Sequence, residues 1–90
     1  MTFGVAVVVG GAAGHLGRGT TLGLAREGVR LIVCDNDHEG LESIAGEVEA
    51  LGSTVTPIYG DVMDPASLDA FWDQVAGLTD HIDILVNVCG

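Results

Sequence analysis

Residues 5–17 of this 90-residue chain read VAVVVGGAAGHLG. Residues 5–9 form a continuous, mostly β-branched run, which is typical of a strand buried on both faces of a parallel sheet. Gly10 and Gly11 end that run, and the small residues behind them allow the backbone to turn sharply into a helix. The stretch therefore predicts a buried strand, a tight turn and a helix.

The rest of the chain repeats this alternation of strand and helix. Further strands are predicted at residues 29–34, 54–59 and 82–88, and helices at residues 16–27, 41–51 and 65–77. Pro57 favours a sheet edge for the third strand, because proline cannot donate a ladder hydrogen bond. A β-α-β-α-β-α-β series with right-handed crossovers predicts one α/β domain over residues 1–90, an incomplete Rossmann-type parallel sheet with strand order 3-2-1-4.

Each predicted helix carries one apolar face that packs on the sheet. In the first helix, this face consists of Leu16, Thr20, Leu24 and Ala25. The second helix has apolar residues at helical spacing and glutamates on its other side, which is typical of a solvated face.

The start of the third helix is marked by Asp64 and Pro65, a good N-cap followed by proline at the first helical position. Phe71 and Trp72 follow at helical spacing. We expect both to be core residues rather than a stacking platform for bases. Their helix should lie on the face of the sheet opposite the first two helices.

The charge balance excludes several partners. Thirteen acidic residues face three arginines and no lysine, which gives a formal net charge of -10. Nucleic acids and anionic membranes are bound by clustered Lys and Arg, so neither is expected as a partner. The missing lysine also excludes mechanisms that need an ammonium group, such as Schiff bases.

The chain is expected to be a soluble cytoplasmic protein. Its longest apolar run, residues 5–9, falls far short of the roughly 20 residues of a transmembrane helix. The start of the chain lacks the positive charge of a secretory signal. Two cysteines are too few for a disulfide scaffold, which favours a reducing compartment.

The first turn has the features of a phosphate-binding loop. Gly11, Gly14 and Gly17 fall at intervals of three, and the following helix presents free N–H groups and the positive end of its dipole. Asp35 ends the second strand, near the spacing of about 20 residues expected for an acid that binds a ribose 2′-hydroxyl. A carboxylate there would repel a 2′-phosphate, which favours NAD over NADP. A glycine-rich turn beside a solvated aspartate is the alternative.

These features, together with three later segments, resemble the amino-terminal half of a short-chain dehydrogenase/reductase. In that family the turn reads T-G-x-x-x-G-x-G in single-domain members and T-G-x-x-G-x-x-G in the extended subgroup. This chain fits the second spacing, with Gly10 in place of the threonine, and His15 stands where the first form has its middle glycine.

The later segments carry the resemblance to the end of the chain. Asp61-Val62 resembles the family's D-V pair, whose carboxylate and backbone hold the adenine. Residues 64–67, DPAS, resemble the opening of its next helix. Residues 83–90, DILVNVCG, match its D-I-L-V-N-N-A-G, with valine for the second asparagine and cysteine for the alanine.

The resemblance implies the NAD(H)-binding portion of an oxidoreductase that transfers hydride between NAD and an alcohol or ketone. The cofactor-binding residues it implies are Gly11, Ala13, Gly14, His15, Leu16, Gly17, Asp35, Asp61, Val62, Asn87 and Gly90. For His15 two roles stay open: it donates to the pyrophosphate from the helix N-terminus, or it is an exposed residue in a permissive loop.

The family's catalytic residues have no counterpart in this chain. A serine and a Tyr-x-x-x-Lys pair, in which the lysine lowers the pKa of the tyrosine, lie beyond the segment that the resemblance covers. The one tyrosine here, Tyr59, is predicted to be a packed or edge aromatic. The isolated chain is therefore expected to be inactive, and a small alcohol or ketone substrate is expected only for a complete protein.

Two other functions stay open. Methyltransferases that use S-adenosylmethionine also have a glycine-rich first turn and an acid that ends the second strand. A non-catalytic module could bind a nucleotide or a partner chain. The strand at residues 82–88 would form an exposed hydrophobic edge, which predicts self-association.

His38 and His81 lack convergent ligands, so no metal site is predicted.

Overall fold

The computed structural model describes residues 4–12 and 14–88. Within these residues, strands and helices alternate in the order β1 (Val5–Val9), α1 (Gly14–Arg26), β2 (Arg30–Asp35), α2 (His38–Ala50), β3 (Val55–Tyr59), α3 (Pro65–Leu78) and β4 (Ile84–Asn87). β1 has the bounds that its apolar run predicted. None of the helices in the described ranges combines the length and the hydrophobicity of a membrane span.

The strands form one parallel sheet in the order β3-β2-β1-β4. The predictions of an α/β fold and of strand order 3-2-1-4 are therefore confirmed. β3 is an edge strand, as Pro57 predicted. Because all strands run in the same direction, their carboxyl ends and the turns that follow them lie along one edge of the sheet.

β4 is shorter than the strand predicted at residues 82–88, since its regular pairing with β1 covers residues 84–87 only. Just before β4, the Asp83 carboxylate accepts a hydrogen bond from the Val5 N–H at 2.8 Å. The Asp83 N–H donates in turn to the Val5 carbonyl at 2.9 Å. Asp83 thus fastens the amino end of β4 to β1 with both its side chain and its backbone, and Ile82 lies before the sheet.

His81 adds an exposed electrostatic contact at this amino edge. Its Nδ1 lies 3.0 Å from the Asp80 carboxylate, and its Nε2 lies 3.2 Å from the Asp83 carboxylate. The hydrogen bond with Asp80 and the charge of Asp83 raise the pKa of His81 above its ordinary value. Because the group is exposed, solvent screens this interaction and its contribution to stability is small.

Hydrophobic clusters cover both faces of the sheet. On one face, α1 and α2 pack against the strands through residues that include Ala25 and Ile44. On the other face, α3 packs through Phe71 and Val75, with Trp72 partly buried beside them. The prediction that Phe71 and Trp72 belong to the core, opposite the first two helices, is confirmed. With both faces covered, β1 is buried along its whole length.

The packing face of α1 differs from the predicted one. Leu16 is 72% exposed, and the buried residues of this helix are Gly17, Thr21 and Ala25. The helix also begins earlier than predicted, at Gly14. Ala25 is buried as predicted, and Leu24 is partly buried against the same cluster. Hydrophobicity favoured Leu16 over its small neighbour, but the first turn of α1 lies so close to the end of β1 that no side chain fits at position 17.

The amino end of α1 is in direct contact with the end of β1. A Cβ built on Gly17 would lie 2.2 Å from the Gly10 carbonyl oxygen, far inside van der Waals distance. One helical turn further along, the buried Thr21 hydroxyl donates to the Gly11 carbonyl at 2.8 Å. Two features therefore fix the turn between β1 and α1. Gly17 lets the helix approach the end of β1 closely, and the buried Thr21 hydrogen bond joins the helix to the turn.

The other two helices begin at aspartate caps. The Asp37 carboxylate accepts from the Gly40 N–H at 3.1 Å at the start of α2, and the Asp64 carboxylate accepts from the Ala66 N–H at 3.1 Å at the start of α3. Pro65 is the first residue of α3, so the start predicted for this helix is confirmed. These caps satisfy backbone N–H groups that a helix leaves without partners.

We expect Gly17→Ala to lower the free energy of unfolding by about 1–3 kcal/mol, because the new methyl group collides with the backbone of β1. Urea unfolding followed by circular dichroism measures the change. Gly19→Ala is the matched control, since position 19 is exposed on the same helix and a Cβ there points into open space. Alanine at 19 should stabilise the protein by up to about 1 kcal/mol. Equal effects of the two substitutions would contradict the close contact.

We expect Thr21→Val to cost about 1–3 kcal/mol in the same unfolding experiment, because the buried Gly11 carbonyl loses its hydroxyl donor. Thr20→Val is the control. The Thr20 hydroxyl donates to the Leu16 carbonyl in an exposed position, where water can replace it. Its loss should change the free energy of unfolding by no more than about 0.5 kcal/mol. A Thr21→Val protein as stable as the control would show that the buried bond does not hold the turn.

Candidate functional site

The candidate site lies at the carboxyl edge of the sheet, where the first turn, the end of β2 and the segment after β3 meet. The strand ends are aligned there, with Val9 of β1 opposite Asn87 of β4 and Asp35 of β2 opposite Tyr59 of β3. Open α/β sheets bind ligands in the crevice at this edge. The topology thus brings together the segments that the sequence singled out.

The three glycines of the first turn have different surroundings. A Cβ on Gly11 would lie 2.5 Å from the Thr21 hydroxyl oxygen and 2.7 Å from a methyl carbon of Val8, so this residue faces the protein interior. Gly17 faces Gly10, as described above. Gly14 has a φ of +74° and open space beside it. Gly11 and Gly17 therefore bring the turn close to the sheet, and Gly14 is where a ligand can approach the backbone.

Asp35 points toward the first turn. Its Oδ2 accepts a hydrogen bond from the Ala12 N–H at 3.1 Å, and its Oδ1 accepts from the Asp37 N–H at 3.2 Å. The residue is 8% exposed, which is low for an acid. The predicted position of a carboxylate beside the glycine-rich turn is therefore what the structure shows.

A cavity of about 120 Å³ opens at this edge. Its lining brings together three of the residues that the sequence analysis named, Asp35, Asp61 and Val62. The predicted cofactor-binding residues did not include the other four: Gly10, Asn36, Gly60 and Met63. Gly10, Asn36 and Gly60 directly follow the ends of β1, β2 and β3, and that adjacency was the signal that could have found them. Met63 lies four residues beyond β3, so no such signal marks it.

The segment after β3 is held in a fixed turn. The Asp61 N–H donates to the Ser67 hydroxyl oxygen at 2.8 Å, and the Asp61 carboxylate accepts from the Met63 N–H at 2.9 Å. Ser67 belongs to the first turn of α3, so the helix that packs on the sheet also positions this wall of the cavity. The Asp61 carboxylate can accept hydrogen bonds from a planar heterocycle, and the adjacent backbone can donate or accept them.

The remaining predicted site residues are spread along the same edge. His15 and Leu16 are exposed at the start of α1. Asn87 lies on the far side of β1 from Asp35, because β4 and β2 flank β1 on opposite sides. Ala13 and Gly90 lie outside the described residues. The structure thus places His15 at the helix N-terminus, and both of its predicted roles stay open.

The electrostatics of the site are negative. Among the described residues, neither lysine nor arginine lines the cavity, whereas Asp35 and Asp61 both do. The guanidinium of Arg18, in α1, forms an ion pair with Glu47 of α2. A phosphate group at the turn would therefore depend on backbone N–H groups and the dipole of α1 rather than on a cationic side chain.

Tyr59 lies outside this cavity. It is 52% exposed and stacks on the ring of His38 with 3.9 Å between ring centroids. The two rings line a separate groove between α2 and β3. The prediction of an edge aromatic is confirmed. Residues 4–12 and 14–88 also contain no group of three His, Cys, Asp or Glu side chains arranged to hold a metal ion.

Comparison with known proteins agrees with this geometry. A family model for short chain dehydrogenases matches residues 4–90. The chain is 36% identical over 84 residues to a probable oxidoreductase, EphD, of Mycobacterium tuberculosis, a match that covers 93% of this chain and 14% of that protein. It is 34% identical over 87 residues to the 3-oxoacyl-acyl-carrier-protein reductase FabG of Thermotoga maritima, covering 97% of this chain and 35% of that protein.

A solved structure shows the same likeness in three dimensions. RhlG of Pseudomonas aeruginosa, described as an active-site complex with NADP, superposes with a TM-score of 0.88 at 28% identity. The superposition covers 100% of this chain and 36% of that one. This chain therefore spans about a third or less of each of these three proteins. Since the family model matches the chain from Gly4 to its last residue, the chain belongs to the short-chain dehydrogenase/reductase family.

Proposed function

We propose that this chain is the NAD(H)-binding portion of a short-chain dehydrogenase/reductase, and that the complete protein transfers hydride between NAD and an alcohol or ketone. The observation that carries the proposal is the position of Asp35, whose carboxylate faces the first turn and lines the cavity at the carboxyl edge. When bound, the nicotinamide supplies or accepts the hydride. The residues of this chain bind and orient the dinucleotide.

Each part of a dinucleotide has a candidate partner at this edge. The open backbone at Gly14 and the N-terminus of α1 suit the phosphates. Asp35 suits the adenosine ribose, because a carboxylate accepts hydrogen bonds from sugar hydroxyls. Asp61 and Val62 suit the adenine, and the cavity they line is too small for more than one end of the cofactor.

The preference for NAD over NADP rests on charge. If the adenosine ribose lies at Asp35, a 2′-phosphate would approach the carboxylate of that residue. Arg18, in the first half of α1, is paired with Glu47. Two like charges brought together across a binding site weaken the binding free energy by roughly several kcal/mol when no cation neutralises them. RhlG, a structural neighbour, is described as an NADP complex. The preference is therefore our proposal for this chain and does not come from its relatives.

We expect isothermal titration of the purified chain to show binding of NAD, at least about tenfold weaker binding of NADP, and no binding of S-adenosylmethionine. Asp35→Asn should narrow the ratio between NAD and NADP affinities, because it removes the negative charge. Asp69→Asn, the same charge change at an exposed position on α3, should leave the ratio unchanged. Tighter binding of NADP than of NAD by the unmodified chain would refute the proposed preference.

The remaining outcomes of this titration separate the alternatives. Binding of S-adenosylmethionine alone would favour a methyltransferase, although membership of the dehydrogenase family argues against it. If none of the three ligands binds and the chain forms a defined oligomer, a non-catalytic interaction module is the better description.

We expect the purified 90-residue chain to show no NAD-dependent oxidation of alcohols. It contains no lysine, and its one tyrosine, Tyr59, lies outside the cavity and stacks on His38. The measurement is NADH absorbance with a panel of primary and secondary alcohols, against a heat-treated sample of the same preparation. Activity above that control would refute this prediction.

We also expect the isolated chain to associate with itself through β4. This strand forms one edge of the sheet, where Leu85 is 57% exposed, and apolar edges with open backbone groups promote pairing with other chains. Sedimentation velocity should detect oligomers, and Leu85→Lys should reduce them. Leu51→Lys is the control, because Leu51 is 46% exposed but lies at the end of α2. A monodisperse monomer with a cooperative melt would contradict this proposal.

A cytoplasmic location stays a prediction from the two cysteines.

A further inference from the structure

Ala12, in the middle of the first turn, is held from two sides by the segment that joins β2 to α2. On one side its N–H donates to Asp35 Oδ2 at 3.1 Å, in a bond that is buried. The other oxygen of the same carboxylate accepts from the Asp37 N–H at 3.2 Å. The Asp35 side chain thus connects two strand-to-helix turns that are more than twenty residues apart in sequence.

Gly40, in the first turn of α2, approaches the carbonyl of Ala12. A Cβ built on Gly40 would lie 3.0 Å from the Ala12 oxygen and 2.7 Å from the Asp37 carboxylate. The contact with the Asp37 carboxylate is closer than real Cβ contacts, and the contact with the Ala12 oxygen is tight enough that this backbone would have to shift by a few tenths of an ångström. Ala12 itself is 1% exposed, so its peptide groups have little room to move. The position of the first turn therefore depends on a glycine in the second helix.

We propose that Asp35 and Gly40 are positioning residues for the phosphate-binding turn, and that Asp35 acts on dinucleotide affinity through Ala12 in addition to any contact with the ribose. The inference rests on the proposed function, because it assigns a role within that binding site. It differs from ribose recognition in one testable respect: positioning of the turn affects the binding of a dinucleotide whose adenosine ribose has no hydroxyls.

A practical consequence concerns the cofactor preference. Replacing the acid at the end of β2 with a small neutral residue relieves repulsion of a 2′-phosphate. In this chain, the same replacement also takes the acceptor away from the buried Ala12 N–H. A buried N–H donor without a partner raises the free energy of the folded state, so the turn has to move or admit a water molecule. Such a variant should lose affinity for both cofactors even as its preference between them changes.

The experiment compares NAD with an NAD analogue whose adenosine half is 2′,3′-dideoxyadenosine. Dissociation constants are measured by isothermal titration for the unmodified chain and for Asp35→Ala, Gly40→Ala and Gly46→Ala. Gly46 is the matched control for Gly40, because it lies in the same helix and a Cβ there points into open space. Thermal melts establish that each variant is folded, and the amide resonance of Ala12 in the unliganded variants reports the turn directly.

We expect Asp35→Ala and Gly40→Ala each to weaken binding of the dideoxy analogue by about fivefold or more and to shift the Ala12 resonance. Gly46→Ala should bind both ligands like the unmodified chain. Undiminished affinity for the analogue in either folded variant would overturn the inference, and if Asp35→Ala does not fold, Gly40→Ala alone decides. Failure of the unmodified chain to bind NAD would instead refute the proposed function.

Discussion

The close contact between the start of α1 and the end of β1 is the constraint on which the site depends. With no side chain at position 17, the helix backbone reaches the Gly10 carbonyl, and the Thr21 hydroxyl then bonds to Gly11. This contact fixes where the N-terminus of α1 points. A larger residue would move the helix away from the carboxyl edge of the sheet, and the dipole and N–H groups suited to a phosphate would move with it.

The second constraint is the carboxylate at the end of β2. Asp35 has a structural role within the chain, since its carboxylate joins the Ala12 and Asp37 amides. In the proposed function, this one side chain both binds the adenosine ribose and holds the first turn in place. A negative site with no lysine suits a ligand whose phosphates are bound by backbone groups and whose sugar donates to a carboxylate.

Residue patterns predicted the element order, the strand order and the position of Asp35, because buried β-branched runs, glycine turns and strand ends are local signals. They failed where packing decides. The predicted start of the packing face of α1 was wrong, because Leu16 outranks Gly17 in hydrophobicity, whereas the contact with β1 leaves no room for a side chain at position 17. Met63 was missed because its place in the cavity arises from the turn that Ser67 holds, which no local pattern reveals.

The most direct measurement is a titration of the isotopically labelled chain with NAD, followed by backbone amide resonances. A dinucleotide across the carboxyl edge should shift residues 10–17, 35–37 and 60–63 and leave the amino edge around Asp83 unchanged. Shifts confined to the amino edge, or to the groove between α2 and β3, would contradict the assignment of the site.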